Sequence, residues 1–348
     1  MRIAQIAPLH ESVPPQLYGG TERVVSYLTE ELVRQGHDVT LFASADSHTS
    51  ARLRPICPKA LRLEPKELPY PLAWHMLQAE LVAQECGKFD IVHSHADIVL
   101  FPYIRWCGMP AISTMHGRLD IPDQFALFKE FDDVPLVSIS NTQRTPMPWA
   151  NWVATVYHGL PQELYTPQER KGDYLAFLGR VSPEKGLARA IRIAKSAKMP
   201  LRIGAKVDPV DQKYFDRTIL PLLQDPQIEF LGEIGESSKG EFLGNAAAVL
   251  FPIDWPEPFG LVMIEALACG TPVIAFSHGS VPEILEHGTT GFVVSNVKAA
   301  AEAVARIPTI SRSQCREVFE ARFSAERMCR DYLRAYELVA GQSRPRAA

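Results

Sequence analysis

No apolar run in this 348-residue chain approaches the roughly 18 residues needed to cross a bilayer. The first residues, Met-Arg-Ile-Ala-Gln-Ile-Ala, read at once as a strand. They show no apolar leader and no small-residue cleavage site, so a cytoplasmic location is expected. The six cysteines, at positions 57, 86, 107, 269, 315 and 329, include no Cys-x-x-Cys pair. That spacing argues for free thiols in a reducing compartment, against disulfides or zinc. Excess positive charge is missing too. The net charge is −4, and residues 1–160 hold 13 Lys/Arg against 17 Asp/Glu, the rest holding 23 of each. Neither nucleic acid nor an anionic membrane surface is favoured as a partner. No short-period repeat is present.

What is there is ordinary in bulk and informative in order. The chain is 46% hydrophobic and 22% charged, as in soluble globular proteins, and its length favours two domains. Apolar strand patterns recur at 2–7, 38–43, 89–93, 111–115, 136–140 and 154–158. The stretch 21–35 is amphipathic, with Val24, Val25, Leu28 and Leu32 on one face and Gly36 fitting its end. A second series of strands reads at 174–178, 201–204, 228–231, 249–251, 272–275 and 291–294, with a proline-led helix over 183–196. Strands separated by helices imply parallel sheets with right-handed crossovers. The polar stretch Pro161–Asp173 reads as a linker. The expected organisation is an α/β pair of Rossmann-like, doubly wound domains facing across a cleft. They cover 1–160 and 161–324, followed by a helix at 325–340 and a flexible tail at 341–348. Open parallel sheets bind ligands beyond their strand C-termini.

The most informative string runs from Asp254 through Trp-Pro-Glu257-Pro-Phe-Gly-Leu-Val-Met-Ile-Glu265 to Ala275. Pro258 suits a first helical turn. That places Glu257 at the helix mouth beside the amides of Phe259, Gly260 and Leu261, which favour an anion. Glu257 can bond hydroxyls, Glu265 a diol, and the amides a phosphate, an inventory that suits a sugar nucleotide. Gly179-Arg180-Val-Ser-Pro-Glu-Lys185-Gly186 follows a strand, so its two cations can converge on phosphates. Tyr18-Gly19-Gly20-Thr-Glu-Arg allows close backbone approach to a ligand, but it is not Gly-x-Gly-x-x-Gly, the nicotinamide fingerprint. His116 follows a strand at the end facing the expected cleft. His93 and His95 share a strand face and, with His116, weakly suggest a metal, although no carboxylate or cysteine has suitable spacing. His158 reads as hinge or structure. Phe125, Phe128 and Phe131 read as core more than as a binding surface.

The 254–275 string closely resembles the Glu-x7-Glu motif of family-4 retaining glycosyltransferases with the GT-B fold, and the resemblance extends over nearly the whole chain. The Gly-Gly-Thr-Glu-Arg start and compact length resemble the antibiotic-pathway branch of that family. The resemblance implies that Arg180 and Lys185 clamp the donor diphosphate. Gly19 and Gly20 would lie beside donor phosphates and acceptor, and His116 near the transferred sugar. Glu233 and Ile234 would border the nucleobase, with Glu257 on sugar hydroxyls and Glu265 on the ribose. It also implies front-face attack with the leaving phosphate as base, no metal, no cofactor, and a last helix that crosses back to the first domain. The partners would be a nucleoside diphosphate sugar, taken as UDP-linked, and an acceptor hydroxyl. A sugar-nucleotide epimerase and a catalytically silent binding module are the alternatives.

Overall fold

A computed structural model describes residues 1–17, 19–62, 70–169 and 172–342. Tyr18, residues 63–69, Arg170, Lys171 and the tail from residue 343 lie outside the described residues. The chain divides into two compact units, Met1–Gly159 with the segment from Ala325, and Leu160–Ser324.

The first unit is built on parallel strands β1 (Arg2–Ile6), β2 (Asp38–Ala43), β3 (Arg52–Pro55), β4 (Ile91–Ser94), β5 (Ala111–Thr114), β6 (Leu136–Ser138) and β7 (Trp152–Thr155). Among the described residues they form one sheet in the order β3-β2-β1-β4-β5-β6-β7. β1, β4 and β5 are buried on both faces, as strands in the middle of a parallel sheet are. Ile3 pairs in register with Val39 on one side and Ile91 on the other. Phe101 and Phe128 are fully withdrawn into the core, with Phe125 and Phe131 packed against it, so the phenylalanine stripe is core.

The second unit carries β8 (Leu175–Arg180), β9 (Leu201–Lys206), β10 (Ile228–Gly232), β11 (Ala248–Phe251), β12 (Val273–Phe276) and β13 (Gly291–Val294). Their order is β10-β9-β8-β11-β12-β13, again parallel. Each sheet therefore reverses its winding at one point, between β1 and β4 in the first unit and between β8 and β11 in the second. Such reversals open a crevice beyond the strand ends.

The last helix, Ala325–Gln342, packs within the first unit. It buries Met328, Tyr332, Tyr336 and Val339, one stripe at helical spacing. Arg327 fixes its start by donating to the carbonyls of Tyr157 at 2.6 Å and His158 at 2.8 Å.

Several boundaries differ from the sequence reading. The stretch expected as a linker is part of the second unit, with Tyr165 buried and donating to Glu236. The strand expected over 154–158 is β7, which begins earlier and ends at Thr155, because its partner β6 ends at Ser138. β3 has no counterpart in the reading. Its sequence, Arg-Leu-Arg-Pro, belongs to a half-exposed sheet edge and carries no apolar alternation. The helices expected to open at Pro183 and Pro258 open instead at Leu187 and Leu261.

Candidate functional site

The second unit gathers its functional side chains on the two loops that flank the reversal, after β8 and after β11. Gly186 lets these loops touch. Its φ is +81°, and a Cβ there would sit 2.1 Å from the carbonyl oxygen of Pro252, so only glycine fits. Arg189 then staples the loops together. It donates to the carbonyls of Pro252 at 2.7 Å and of Pro183 and Glu184 at 3.2 Å. The amide of Asp254 closes the join by donating to Glu184 O at 2.8 Å.

This join delivers Lys185 to Glu257. Lys185 Nζ bonds Glu257 Oε2, both side chains are largely buried, and the ammonium lies 4.7 Å from the Trp255 ring centroid. Burial strengthens such a pair and makes either member costly to strand alone. The indole N–H of Trp255 is also buried and has no hydrogen-bond partner in the protein. Orphaned buried N–H groups are rare, which singles Trp255 out as a donor available to a ligand.

Glu257 is not at a helix mouth. Three residues separate it from Leu261, because Gly260 adopts φ +80° and caps the helix Leu261–Ala268 from the left-handed region. A Cβ on Gly260 would meet Met263 at 2.9 Å and Phe251 at 3.0 Å. Tertiary packing, not Pro258, therefore sets the helix start. The loop after β12 grips the same segment. Gly279, at φ +55°, approaches so closely that a Cβ would lie 2.4 Å from both Glu257 N and O. Ser280 donates its amide to Glu257 O at 3.0 Å and its hydroxyl to Phe259 O at 2.7 Å. Phe259 is buried against Phe323.

Arg180, at the end of β8, does not share the Glu257 carboxylate. It donates to Glu184 at 2.9 Å and stands 3.8 Å from Asp208 and Asp211. Glu265 faces inward from the helix and accepts from Lys239 at 2.8 Å, while Lys239 also reaches Glu236 at 3.3 Å. Ile234 covers the end of β9, where a Cβ on Gly204 would meet it at 2.4 Å; Glu233 beside it is exposed. Arg180, Lys185 and Lys239 are each held by at least one carboxylate, so their positions are fixed within the protein and each can offer charge-assisted hydrogen bonds to an anion that competes for it.

The first unit places Gly19 and Gly20 at the start of the helix Gly20–Arg34, at the end of the loop that follows β1. A Cβ on Gly19 would strike Pro15 at 2.7 Å, so the turn needs glycine for space. Arg23, buried behind it, donates to Leu17 O at 2.9 Å. Across the winding reversal, His116 follows β5 and His95 follows β4. His116 Nε2 lies 2.9 Å from His95 Nδ1, and the ring stacks on His158 at 5.3 Å. Burial pushes His116 down to about 3, and it holds His93, His95 and His158 well below the usual histidine value. The four rings are neutral at physiological pH. The ring nitrogens of His93 and His95 are spent on Gln5, Thr114, Tyr336 and His116. Among the described residues no group of three or more His, Cys, Asp or Glu is arranged to hold a metal. Nor is any helix there long and apolar enough to cross a membrane.

Lys239, Arg189, Trp255, Gln5 and the Gly279–Ser280 loop were not singled out from sequence. The Gly279-Ser280 pair, separated from the end of β12 by two residues, is the one local signal on offer.

The glycosyl transferases group 1 family matches residues 166–320, and the family 4 glycosyltransferases match residues 18–173. An uncharacterized glycosyltransferase of Methanocaldococcus jannaschii is 24% identical over 392 residues, covering 96% of this chain and 98% of its own. The D-inositol 3-phosphate glycosyltransferase of Mycolicibacterium smegmatis is 26% identical over 342 residues, covering 79% of this chain and 75% of its own. Among solved structures, AviGT4, a glycosyltransferase involved in avilamycin A biosynthesis, superposes with a TM-score of 0.74 at 24% identity, covering 98% of both chains. Anabaena HepE in complex with UDP and glucose gives 0.73 at 18%, covering 97% of this chain and all of its own.

Proposed function

This chain belongs to the group 1, family-4 glycosyltransferases with the GT-B fold, and we propose that it moves a sugar from a UDP-sugar to an acceptor hydroxyl with retention of anomeric configuration and without a metal. The observation that carries the reading is the buried Lys185–Glu257 pair at the winding reversal of the second sheet. A diphosphate arriving there offers Lys185 a second anion and leaves Glu257 free to accept from sugar hydroxyls. Arg180, fixed by Glu184 and its two aspartate neighbours, stabilises the charge that grows on the leaving diphosphate. Glu265, with Lys239 balancing its charge, accepts from the ribose diol. Phe259, Gly260 and Leu261 line the diphosphate with backbone, and Glu233 and Ile234 border the base. Gly19, Gly20 and His116 serve the acceptor and the transferred sugar. The UDP-bound relative supports uridine as the base.

Incubation with a panel of UDP-, GDP- and ADP-sugars, with and without acceptor alcohols, tests this. Transfer is expected only with acceptor, with product of the donor's anomeric configuration by NMR and a rate changed less than about twofold by EDTA, since a catalytic metal would contribute several kcal/mol. Inverted product, or activity abolished by EDTA and restored by Mg²⁺, overturns the corresponding part. Release of altered free sugar without acceptor would instead identify an epimerase.

A further inference from the structure

His116 ends a continuous chain of buried hydrogen bonds that begins on the last helix. Tyr332 OH lies 3.1 Å from Thr114 Oγ1, and Thr114 Oγ1 lies 2.7 Å from His93 Nε2. His93 Nδ1 lies 2.8 Å from Tyr336 OH, which accepts from Gln5 Nε2 at 2.9 Å. Gln5 Oε1 lies 2.8 Å from His95 Nε2, and His95 Nδ1 lies 2.9 Å from His116 Nε2. Gln5, His93, His95, Thr114, Tyr332 and Tyr336 are all buried. The histidines stay neutral, and burial raises both tyrosines above their usual value, so no member carries a charge.

A neutral imidazole has one donor and one acceptor nitrogen. From the Gln5 amide through His95 to His116 each link therefore dictates the next, and this stretch has two possible polarities. They differ at its end. His116 Nδ1 is buried and has no hydrogen-bond partner in the protein. One polarity would leave an N–H stranded there, and the other a lone pair. A stranded buried N–H is the rarer and costlier outcome. That selects the polarity in which the amide of Gln5 donates to Tyr336 and its carbonyl accepts from His95 Nε2–H. His95 Nδ1 is then the acceptor for His116 Nε2–H.

We propose that Gln5, His95 and Tyr336 are positioning residues that lock His116 in the tautomer with its proton on Nε2, so that its Nδ1 lone pair is kept for a ligand hydroxyl. Stacking on His158 fixes the plane of the ring. His116 then acts as an acceptor that orients a hydroxyl, and Tyr336 on the last helix, 331 residues from Gln5 in sequence, holds the Gln5 amide by accepting its N–H. The use of that lone pair by a sugar or acceptor hydroxyl rests on the proposed transfer; the tautomer does not.

The test is two-dimensional ¹H–¹⁵N NMR of the imidazoles in the ligand-free protein, with kinetics in parallel. Wild type is expected to show a pyridine-like Nδ1 and a pyrrole-like Nε2 for His95 and His116. Gln5→Met keeps the side-chain length but removes the carbonyl, so both rings should become tautomer mixtures. Transfer should slow by about tenfold, the scale of one lost hydrogen bond, with nucleoside diphosphate affinity unchanged. Should that variant fold poorly, Tyr336→Phe removes a single hydroxyl and is expected to shift the same resonances. A proton on His116 Nδ1 in wild type overturns the proposal, as do His95 and His116 resonances unchanged in the folded variants. A shifted tautomer with an unchanged rate retains the lock and overturns its part in transfer, whatever the fate of the glycosyltransferase reading.

Discussion

Lys239 Nζ lies 2.8 Å from Glu265 Oε1, and only 14% of the one side chain and 5% of the other remain exposed. The pair bridges two helices of the second unit and holds the carboxylate that the proposed mechanism gives to the ribose. Removing one member of a buried pair leaves an uncompensated charge, which costs about 3–5 kcal/mol. Lys239→Met should therefore lower the urea midpoint of the second unit strongly. Glu265→Gln added to it should recover much of the loss, since the stranded charge is gone. Equal stability of the single and double variants would show that Lys239 does not compensate Glu265.

Lys185 and Arg180 are expected to carry diphosphate affinity separately, because they are held by different carboxylates. Lys185→Ala and Arg180→Ala should each weaken nucleoside diphosphate binding by about 1.5–3 kcal/mol, the scale of a hydrogen bond to a charged group. Calorimetric titration measures this directly. Unchanged affinity in both variants rejects the clamp.

The two glutamates should separate by ligand. Glu257→Gln releases Lys185 from its carboxylate partner, so bare nucleoside diphosphate should bind equally or more tightly while turnover of the sugar nucleotide falls. Glu265→Gln should weaken both ligands, because both contain the ribose, by about 1.5–3 kcal/mol. Titrating each variant with diphosphate and with intact donor gives the four affinities needed. A loss of bare diphosphate affinity in Glu257→Gln as large as in Glu265→Gln removes the distinction.

The strands were legible because both sheets are parallel and covered on both faces. Runs such as Ala248–Phe251 and Gly291–Val294 are apolar at nearly every position, and no alternation is needed to see them. The edge strand Arg52–Pro55 had no such signal. The Glu257/Glu265 and Arg180/Lys185 motifs were legible as strings, but the helix starts within them were misplaced. The proline rule is local, whereas Gly186 and Gly260 are fixed in the left-handed region by contact with Pro252 and Phe251, which lie on another loop or strand. Lys239 was invisible for the same reason. It meets Glu265 from 26 residues away, on a helix whose polar sequence reads as a solvated face. Gln5, in mid-strand, reads as an interruption of an apolar run until Tyr336 is set beside it.

The buried histidines make acid stability a further measurable consequence. His93, His95 and His158 are held well below the usual histidine value, chiefly by burial, and His116 is held at about 3. Above pH 7 these rings are neutral in both folded and unfolded chains, and their titration contributes no pH dependence. As the pH falls through about 6.5, the unfolded chain takes up protons that the folded chain refuses, so stability rises with pH in this window and is lost toward acid. Each ring held neutral contributes a slope approaching about 1.4 kcal/mol per pH unit. The four together should cost several kcal/mol between pH 7.5 and 5.5. Urea unfolding followed in the first unit over this range should show the midpoint falling on the acid side. Replacing His158 by Phe, which keeps a flat ring against His116, should reduce the slope by up to one ring's share. A midpoint independent of pH from 7.5 to 5.5 would mean that the rings take up protons in the folded protein, and the hydrogen-bond chain would then have to carry charge.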